Sequence, residues 1–428
     1  MRDNKSTMAN PKFSQLAETL IGSEIVRLGA MIKEKIKEGN HIYNYTIGDF
    51  DSTQFPIPGL LKEEIINAYN EGFTTYPAAE GELDLRKAVS SFIERKQGLQ
   101  YSTNEILISN GGRPLIYSIF RSIVDKGDKV IYPVPSWNNN HYAHFTEAEH
   151  IRIETKPEHE FMPFANQIAP HIKGASLIAL CSPLNPTGTV FAKEDLEAIC
   201  DLVIAENNSR AEGEKKLYVM YDQIYCTLTF GHTIHHDPVS LRPEMKKYTV
   251  FVDGISKAFA STGVRVGWSM GPEALISKMK AINSHVGSWA PLAEQKATAR
   301  FLNNENAVDE FLTYFKGEVS YRLTNLYKGF KQLQSEGFAV DAIEPEAAIY
   351  LTVKIDLKGK TTPEGLMIDK QEQVTEYVLN KAKLALVPFG YFGADKESCW
   401  YRISVGCCKK EEIVDVISNL REALKQLA

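Results

Sequence analysis

From residue 105 onward, short runs of apolar and β-branched residues alternate with stretches whose apolar positions recur at helical spacing. Runs at 105–109, 129–132, 175–181, 217–221 and 249–252 are each bounded by Gly, Pro, Asn, Asp or Ser and read as buried strands. Between them, Leu115, Ile116, Ile119, Phe120 and Ile123 line one helical face after Pro114, and Leu196, Ile199, Cys200 and Val203 line another after Lys193. Strands interleaved with amphipathic helices predict βαβ units. The expected fold class is therefore α/β, with a mostly parallel sheet flanked by helices in a large domain.

The pattern changes toward the C-terminus. Strand-like runs at 348–353, 383–387 and 400–405 precede a closing helix on which Ile413, Val416, Ile417, Leu420, Leu424 and Leu427 share a face opposite Glu and Lys. This predicts a smaller α+β domain. Residues 1–60 are expected to belong to it as an N-terminal segment, 61–320 to form the large domain and 321–428 to complete the small one, with the crossing between 311 and 331. The charged stretch 354–370, with Gly359, Pro363 and Gly365, reads as a solvated loop. There is no internal repeat and no low-complexity tract.

Composition narrows the function classes. The 428 residues are 43% hydrophobic and 24% charged, which fits a soluble globular protein and excludes disorder. Forty-eight Lys and Arg against 54 Asp and Glu leave a net charge of -6, with no basic footprint for nucleic acid. No apolar run approaches the roughly 20 residues of a membrane helix. The opening MRDNKSTMANPKF lacks the apolar stretch of an export signal, so a cytoplasmic protein is expected. The six cysteines show neither CxxC spacing nor a disulfide framework, and no metal site is expected.

Polar residues of chemical interest collect where the expected strands end, which is where ligands bind in open α/β sheets. Gly111 and Gly112 precede Pro114, a plausible first helical position, and could expose amides as an anion cradle or merely make a tight turn. Trp137, after the next strand, offers a flat face for stacking, or packs in the core. In Ser182-Pro183-Leu184-Asn185-Pro186-Thr187-Gly188, two prolines would aim the Asn185 amide. Asp222 ends an apolar strand and needs a partner, either structural or a ligand cation. Lys257 sits in apolar company at a strand end, a setting that makes an amine nucleophilic, and Arg265 would suit a phosphate.

A phosphate cradle, a stacking ring, an oxygen donor, a carboxylate for a ring cation and a nucleophilic amine together fit pyridoxal phosphate. With NPTG, YDxIY and SKxxxxTGxRxG in this order, the chain resembles the fold-type-I aminotransferases of class I and II from about residue 45 to residue 406. Among them it is most similar to a bacterial aspartate aminotransferase-like subgroup. The resemblance implies that Lys257 is the Schiff-base lysine that later shuttles the proton, and that Asp222 keeps the pyridine nitrogen protonated. It further implies that Tyr225 and Asn185 hydrogen-bond the ring hydroxyl, that Trp137 stacks on the ring, and that Ser256, Arg265, Gly111 and Gly112 hold the phosphate. Tyr76 would reach the phosphate of a neighbouring subunit, implying a homodimer with composite sites. Arg402 would grip the substrate α-carboxylate, with the Gly48 turn beside it.

Two departures bear on substrate. The family's Gly-x-Pro-Asp-Phe entrance segment is here Gly48-Asp49-Phe50-Asp51-Ser52-Thr53-Gln54-Phe55, so its lining residues do not map. Arg113 stands where the subgroup carries a lysine implicated in reading a distal carboxylate; it is either a second carboxylate site, favouring aspartate and glutamate with 2-oxoglutarate, or a solvent-facing turn arginine. The implied activity is transfer of an amino group from an L-amino acid to a 2-oxo acid. The alternatives are an aromatic or broad-specificity aminotransferase, since Tyr350, Tyr391 and Phe392 either line the substrate pocket or merely pack, a pyridoxal phosphate lyase, and a binding protein that kept the fold.

Overall fold

The computed structural model describes residues 13–428, so nearly all of the stretch read for an export signal lies outside the described residues. Thirteen strands are numbered here in chain order: β1 Tyr43–Asn44, β2 Ile106–Ser109, β3 Lys129–Val134, β4 Glu149–Glu154, β5 Ala175–Cys181, β6 Tyr218–Asp222, β7 Thr249–Gly254, β8 Gly267–Met270, β9 Val340–Ala342, β10 Tyr350–Ile355, β11 Leu384–Ala385, β12 Val387–Pro388 and β13 Trp400–Ser404. Seven form one sheet in the order β2-β8-β7-β6-β5-β3-β4. All its pairings are parallel except those of β8, which runs antiparallel to β2 and β7. The expected α/β class with a mostly parallel sheet holds.

Alternation along the central strands builds a core on each face of this sheet. On β5, Ile178 and Leu180 pack into one layer while Leu177 and Ala179 pack into the other. The helix Gly112–Ile123 covers the second layer through Leu115, Ile119 and Phe120. Because β3, β5, β6 and β7 are parallel and nearly in register, their C-terminal ends emerge along one edge. Asp222 faces Cys181 on one side and Val252 on the other.

A second sheet, β12-β13-β10-β9, is antiparallel, and a third pairing joins β1 to β11, which ties the N-terminal segment to the C-terminal part of the chain. The 31-residue helix Glu305–Ser335 runs past both cores: Val308 and Leu312 pack with the large sheet, Phe315 and Val319 with the small one.

Several expected elements shift. The strand expected at 383–387 is broken at Leu386, so β11 pairs with β1 while β12 joins β13. The strand expected from 348 starts at Tyr350, because Ala348 has φ +60 in a turn whose Ala347 amide donates to the Gly188 carbonyl. Pro114 is the third helical residue and not the first; the helix starts at Gly112 after Gly111. Two strands carry little sequence signal: β4 is a mostly exposed edge of charged residues, and β8 is only four residues long.

Candidate active site

Five strand-end loops, the N-terminal segment and residues of the small sheet enclose a cavity of about 680 Å³. Glycines set the shape of its floor. Gly111 has φ +105, and a Cβ there would run into the Arg265 guanidinium. A Cβ on Gly267, in β8, would lie 2.8–3.1 Å from Gly111 and the Gly112 nitrogen. Only bare backbone lets β8, the Gly111 turn and Arg265 come this close, leaving the start of helix Gly112–Ile123 open toward the cavity. Arg265 is itself held, donating to the Asn110 carbonyl at 2.6 Å and the Thr262 carbonyl at 2.7 Å.

Arg402 decides the character of the site. It is 2% exposed and projects from β13 between the rings of Tyr350 and Phe392, 4.7 and 5.0 Å from their centroids. It donates to Asn185 Oδ1 at 3.0 Å and to the Thr46 carbonyl at 2.7 Å, while its Nε has no partner. Among the described residues no carboxylate pairs with it, and burial pushes its pKa down. A buried guanidinium held only by neutral acceptors is costly until an anion arrives, and its two hydrogen bonds and two flanking rings orient it for a carboxylate. Because Asn185 spends its oxygen on Arg402, its amide NH₂ is left to donate into the cavity. The Asn185 turn is closed by hydrogen bonds from Gly188 N to Leu184 O and from Leu184 N to Thr189 O, and the peptide bonds before Pro183 and Pro186 are cis.

Asp222 presents the complementary problem. Its Oδ1 accepts from the Ile224 amide at 3.2 Å, no salt bridge reaches it among the described residues, and burial raises its pKa to about 6. Such a carboxyl lacks a cation. Lys257 lies in the same cavity, in the single helical turn Ile255–Ala258 that follows β7. Burial lowers its pKa to about 8, opposed by Asp49 and reinforced by Arg402, Arg113 and Arg265. Its Nζ donates to the Gly48 carbonyl at 2.5 Å. Tyr225 is buried with its hydroxyl 2.5 Å from that of Tyr350.

The cavity thus brings together Gly48, Gly112, Arg113, Trp137, Asn185, Asp222, Tyr225, Ser256, Lys257, Arg265 and Arg402. Gly111 lies just behind the floor. Arg113 is exposed at the mouth, its guanidinium 4.8 Å above the Trp137 ring. Tyr76 does not line this cavity; it is 85% exposed and meets Trp289 edge-on at 5.4 Å. Other lining positions carried no role in the sequence. Asp49 and its partner Thr262 (2.6 Å) connect an entrance segment that could not be mapped, and Ile25 and Val26 give no signal in a helix defined by charge, whereas Tyr350, open in the sequence between pocket lining and packing, lines the cavity.

A model of the class I and II aminotransferases matches residues 41–420. The chain belongs to that family. Its relatives include a bifunctional aspartate aminotransferase and glutamate/aspartate-prephenate aminotransferase from Petunia hybrida, 31% identical over 80% of this chain and 69% of that protein. Among solved structures, the aspartate aminotransferase from Rhizobium meliloti superposes with a TM-score of 0.89 at 25% identity, covering 98% of this chain and all of that one. The Thermus thermophilus aspartate aminotransferase with maleate gives 0.85 at 26% identity over 97% of this chain and all of that one. As an aminotransferase, the protein moves an amino group between an amino acid and a 2-oxo acid.

Proposed function

We propose that this aminotransferase works on aspartate or glutamate with 2-oxoglutarate, using pyridoxal phosphate bound in the 680 Å³ cavity. The observation that carries the reading is the pair of uncompensated groups, the buried Arg402 and the half-buried Asp222, facing one cavity with Lys257. The residues present fit the cofactor: an orphan carboxyl for a ring cation, a glycine-lined helix start with Arg265 for a phosphate, and an amine with a depressed pKa.

When bound, pyridoxal phosphate supplies an electron sink for the pair left as the Cα–H bond breaks and carries the amino group between half-reactions. Asp222 would hold a proton on the ring nitrogen, and that cation would offset the desolvation of its carboxylate. Gly111, Gly112, Ser256 and Arg265 would hold the phosphate, Trp137 would pack against the ring, and Asn185 Nδ2 with Tyr225 would donate to the ring oxygen. Arg402, beside Gly48, fixes the α-carboxylate so that the Cα–H bond stands toward Lys257, whose Nζ takes and returns the proton. An amine titrating near 8 is neutral often enough at cellular pH to act as nucleophile and base.

Arg113, at the mouth, is assigned to the distal carboxylate. The aspartate-type relatives and the Thermus neighbour solved with the dicarboxylate maleate support that assignment. We assign Tyr76 to the cofactor phosphate of a neighbouring subunit, which makes the enzyme a homodimer. The six free cysteines agree with a cytoplasmic setting, and no helix among the described residues is long and apolar enough to cross a membrane. The residue 1–60, 61–320 and 321–428 division is kept as the working domain description.

The test follows the cofactor's visible band as single amino acids are added to the holoenzyme. Aspartate or glutamate is expected to bleach it, and 2-oxoglutarate to restore it. Arg113→Ala is expected to raise KM for aspartate about tenfold or more while leaving a neutral amino acid unaffected. Bleaching by aromatic or neutral amino acids alone would overturn the dicarboxylate assignment.

A further inference from the structure

Tyr350 stands where Tyr225, the Gly48 turn and Arg402 meet, although its strand reads largely as core. It projects from β10, is 1% exposed and lines the cavity. Its hydroxyl is 2.5 Å from the Tyr225 hydroxyl. A Cβ on Gly48 would come within 2.9 Å of that same oxygen, so the entrance turn is shaped around it. Its ring carries the Arg402 guanidinium 4.7 Å from the centroid.

On the reading of the site given above, we propose that Tyr350 is a positioning residue with two separable roles. Its hydroxyl donates to Tyr225 and thereby sharpens the bond from Tyr225 to the cofactor's ring oxygen. Its ring holds Arg402 in the plane that receives a carboxylate. Two tyrosine hydroxyls sharing one hydrogen bond can orient either way while nothing else engages them. Once the ring oxygen accepts the Tyr225 proton, the only orientation that keeps both bonds has Tyr350 as donor, and the two bonds polarise in the same sense. The second role follows from geometry: the guanidinium is held at its two terminal nitrogens by neutral acceptors, Asn185 Oδ1 and the Thr46 carbonyl, and over its faces by two rings of which Tyr350 is the nearer.

The roles are tested on the intact holoenzyme with Tyr350→Phe, which deletes the hydroxyl and keeps the ring, and Tyr350→Leu, which removes both. The first readout is the pH midpoint of the bound cofactor's visible absorbance. A weaker bond to the ring oxygen leaves its negative charge less stabilised, so the proton it shares with the Lys257 nitrogen persists to higher pH. Tyr350→Phe is expected to raise the midpoint by about half a unit, Tyr225→Phe by more, and the double variant no further than Tyr225→Phe alone. The second readout is binding of maleate as an unreactive dicarboxylate: Tyr350→Leu is expected to weaken it about tenfold and Tyr350→Phe to leave it unchanged. An unmoved midpoint in Tyr350→Phe, or additive shifts in the double variant, would overturn the first role. Equal loss of maleate binding in Phe and Leu variants, or none in Leu, would overturn the second. If the wild-type protein acquires no visible band with pyridoxal phosphate, the cofactor reading itself falls and both roles with it.

Discussion

Lys257 and Asp222 are each placed where an isolated folded chain would rather not have them, and the directions of their titration say how much function costs stability. The folded protein releases the Lys257 proton near pH 8, whereas an unfolded lysine holds it to about 10.5. Between those values the unfolded chain binds more protons, so stability rises with pH across that window and the penalty is fully present below it. For Asp222 the folded protein keeps the proton to about pH 6 and the unfolded chain loses it near 3.8, so stability falls between those values and the penalty is full above pH 6. Lys257→Met and Asp222→Asn are therefore each expected to raise the Tm of the cofactor-free protein at about pH 7 while abolishing transamination. The Lys257→Met gain should shrink as pH rises from about 8 and be lost only above about 10.5, where the amine is neutral in both the folded and the unfolded chain, and the Asp222→Asn gain should vanish below about pH 4. Thermal melts across pH check both; a destabilised Lys257→Met at pH 7 would contradict the argument. Arg402 carries the same kind of burden, and here the geometry of the fork matters as well as the charge. Arg402→Lys retains a cation but loses two-point recognition and the ring contacts, so KM for the amino donor is expected to rise about 10²-fold with the fold intact.

At the scale of elements, the site depends on how closely backbone can approach backbone. The start of helix Gly112–Ile123 sits against β8 with Gly267 meeting Gly111, and Gly254 at the end of β7 meets Gly267 in turn: a Cβ on Gly254 would lie 2.8 Å from the Gly267 Cα. Gly267→Ala should push the Gly111 turn outward, costing about 1–3 kcal/mol of stability and weakening cofactor binding more than it weakens the fold. Equilibrium dialysis with pyridoxal phosphate, alongside thermal melts, checks the ratio. The same contacts explain what could be read in the residues beforehand. Strands β3, β5, β6 and β7 are buried on both faces and announce themselves as continuous apolar runs, and their ends place Asp222 and Lys257 without any structure. Edge strand β4, with charged residues on a mostly exposed ribbon, and β8, four residues between motif glycines, carry no such signal. Arg402 shows why the chemistry was partly hidden. A strand arginine suggests a surface ion pair, and only the fold reveals that it is buried with no acid beside it. Tyr350 stays open between pocket lining and packing in the sequence, since its neighbours Ile349 and Leu351 fit a core strand and its partner Tyr225 lies 125 residues away.

For the whole molecule, the exposed apolar surface asks for a partner. Ile66 and Tyr69 lie on helix Gly59–Asn70 at 52% and 50% exposure, and Tyr76, Leu83 and Val286 are exposed at 85%, 49% and 57%. Tyr69, Tyr76 and Trp289 share one groove, lined besides by Phe73 and Leu292. Apolar side chains so grouped are what a homo-oligomeric interface covers. A tyrosine that stands outside its own cavity but completes a neighbour's would make each active site the product of two chains. Complementation tests this directly, because Lys257→Ala and Tyr76→Ala disable different halves of a composite site. In a heterodimer of the two variants, the protomer with Tyr76→Ala supplies Lys257 and the other protomer supplies Tyr76, so one of the two sites is intact. Random re-pairing at equal amounts makes half the dimers heterodimers, so about a quarter of wild-type activity should appear on mixing two variants that are each nearly inactive. Sedimentation should show a dimer throughout. If mixing restores nothing while subunits demonstrably exchange, each chain carries a complete site, and the groove at Tyr76 serves assembly alone.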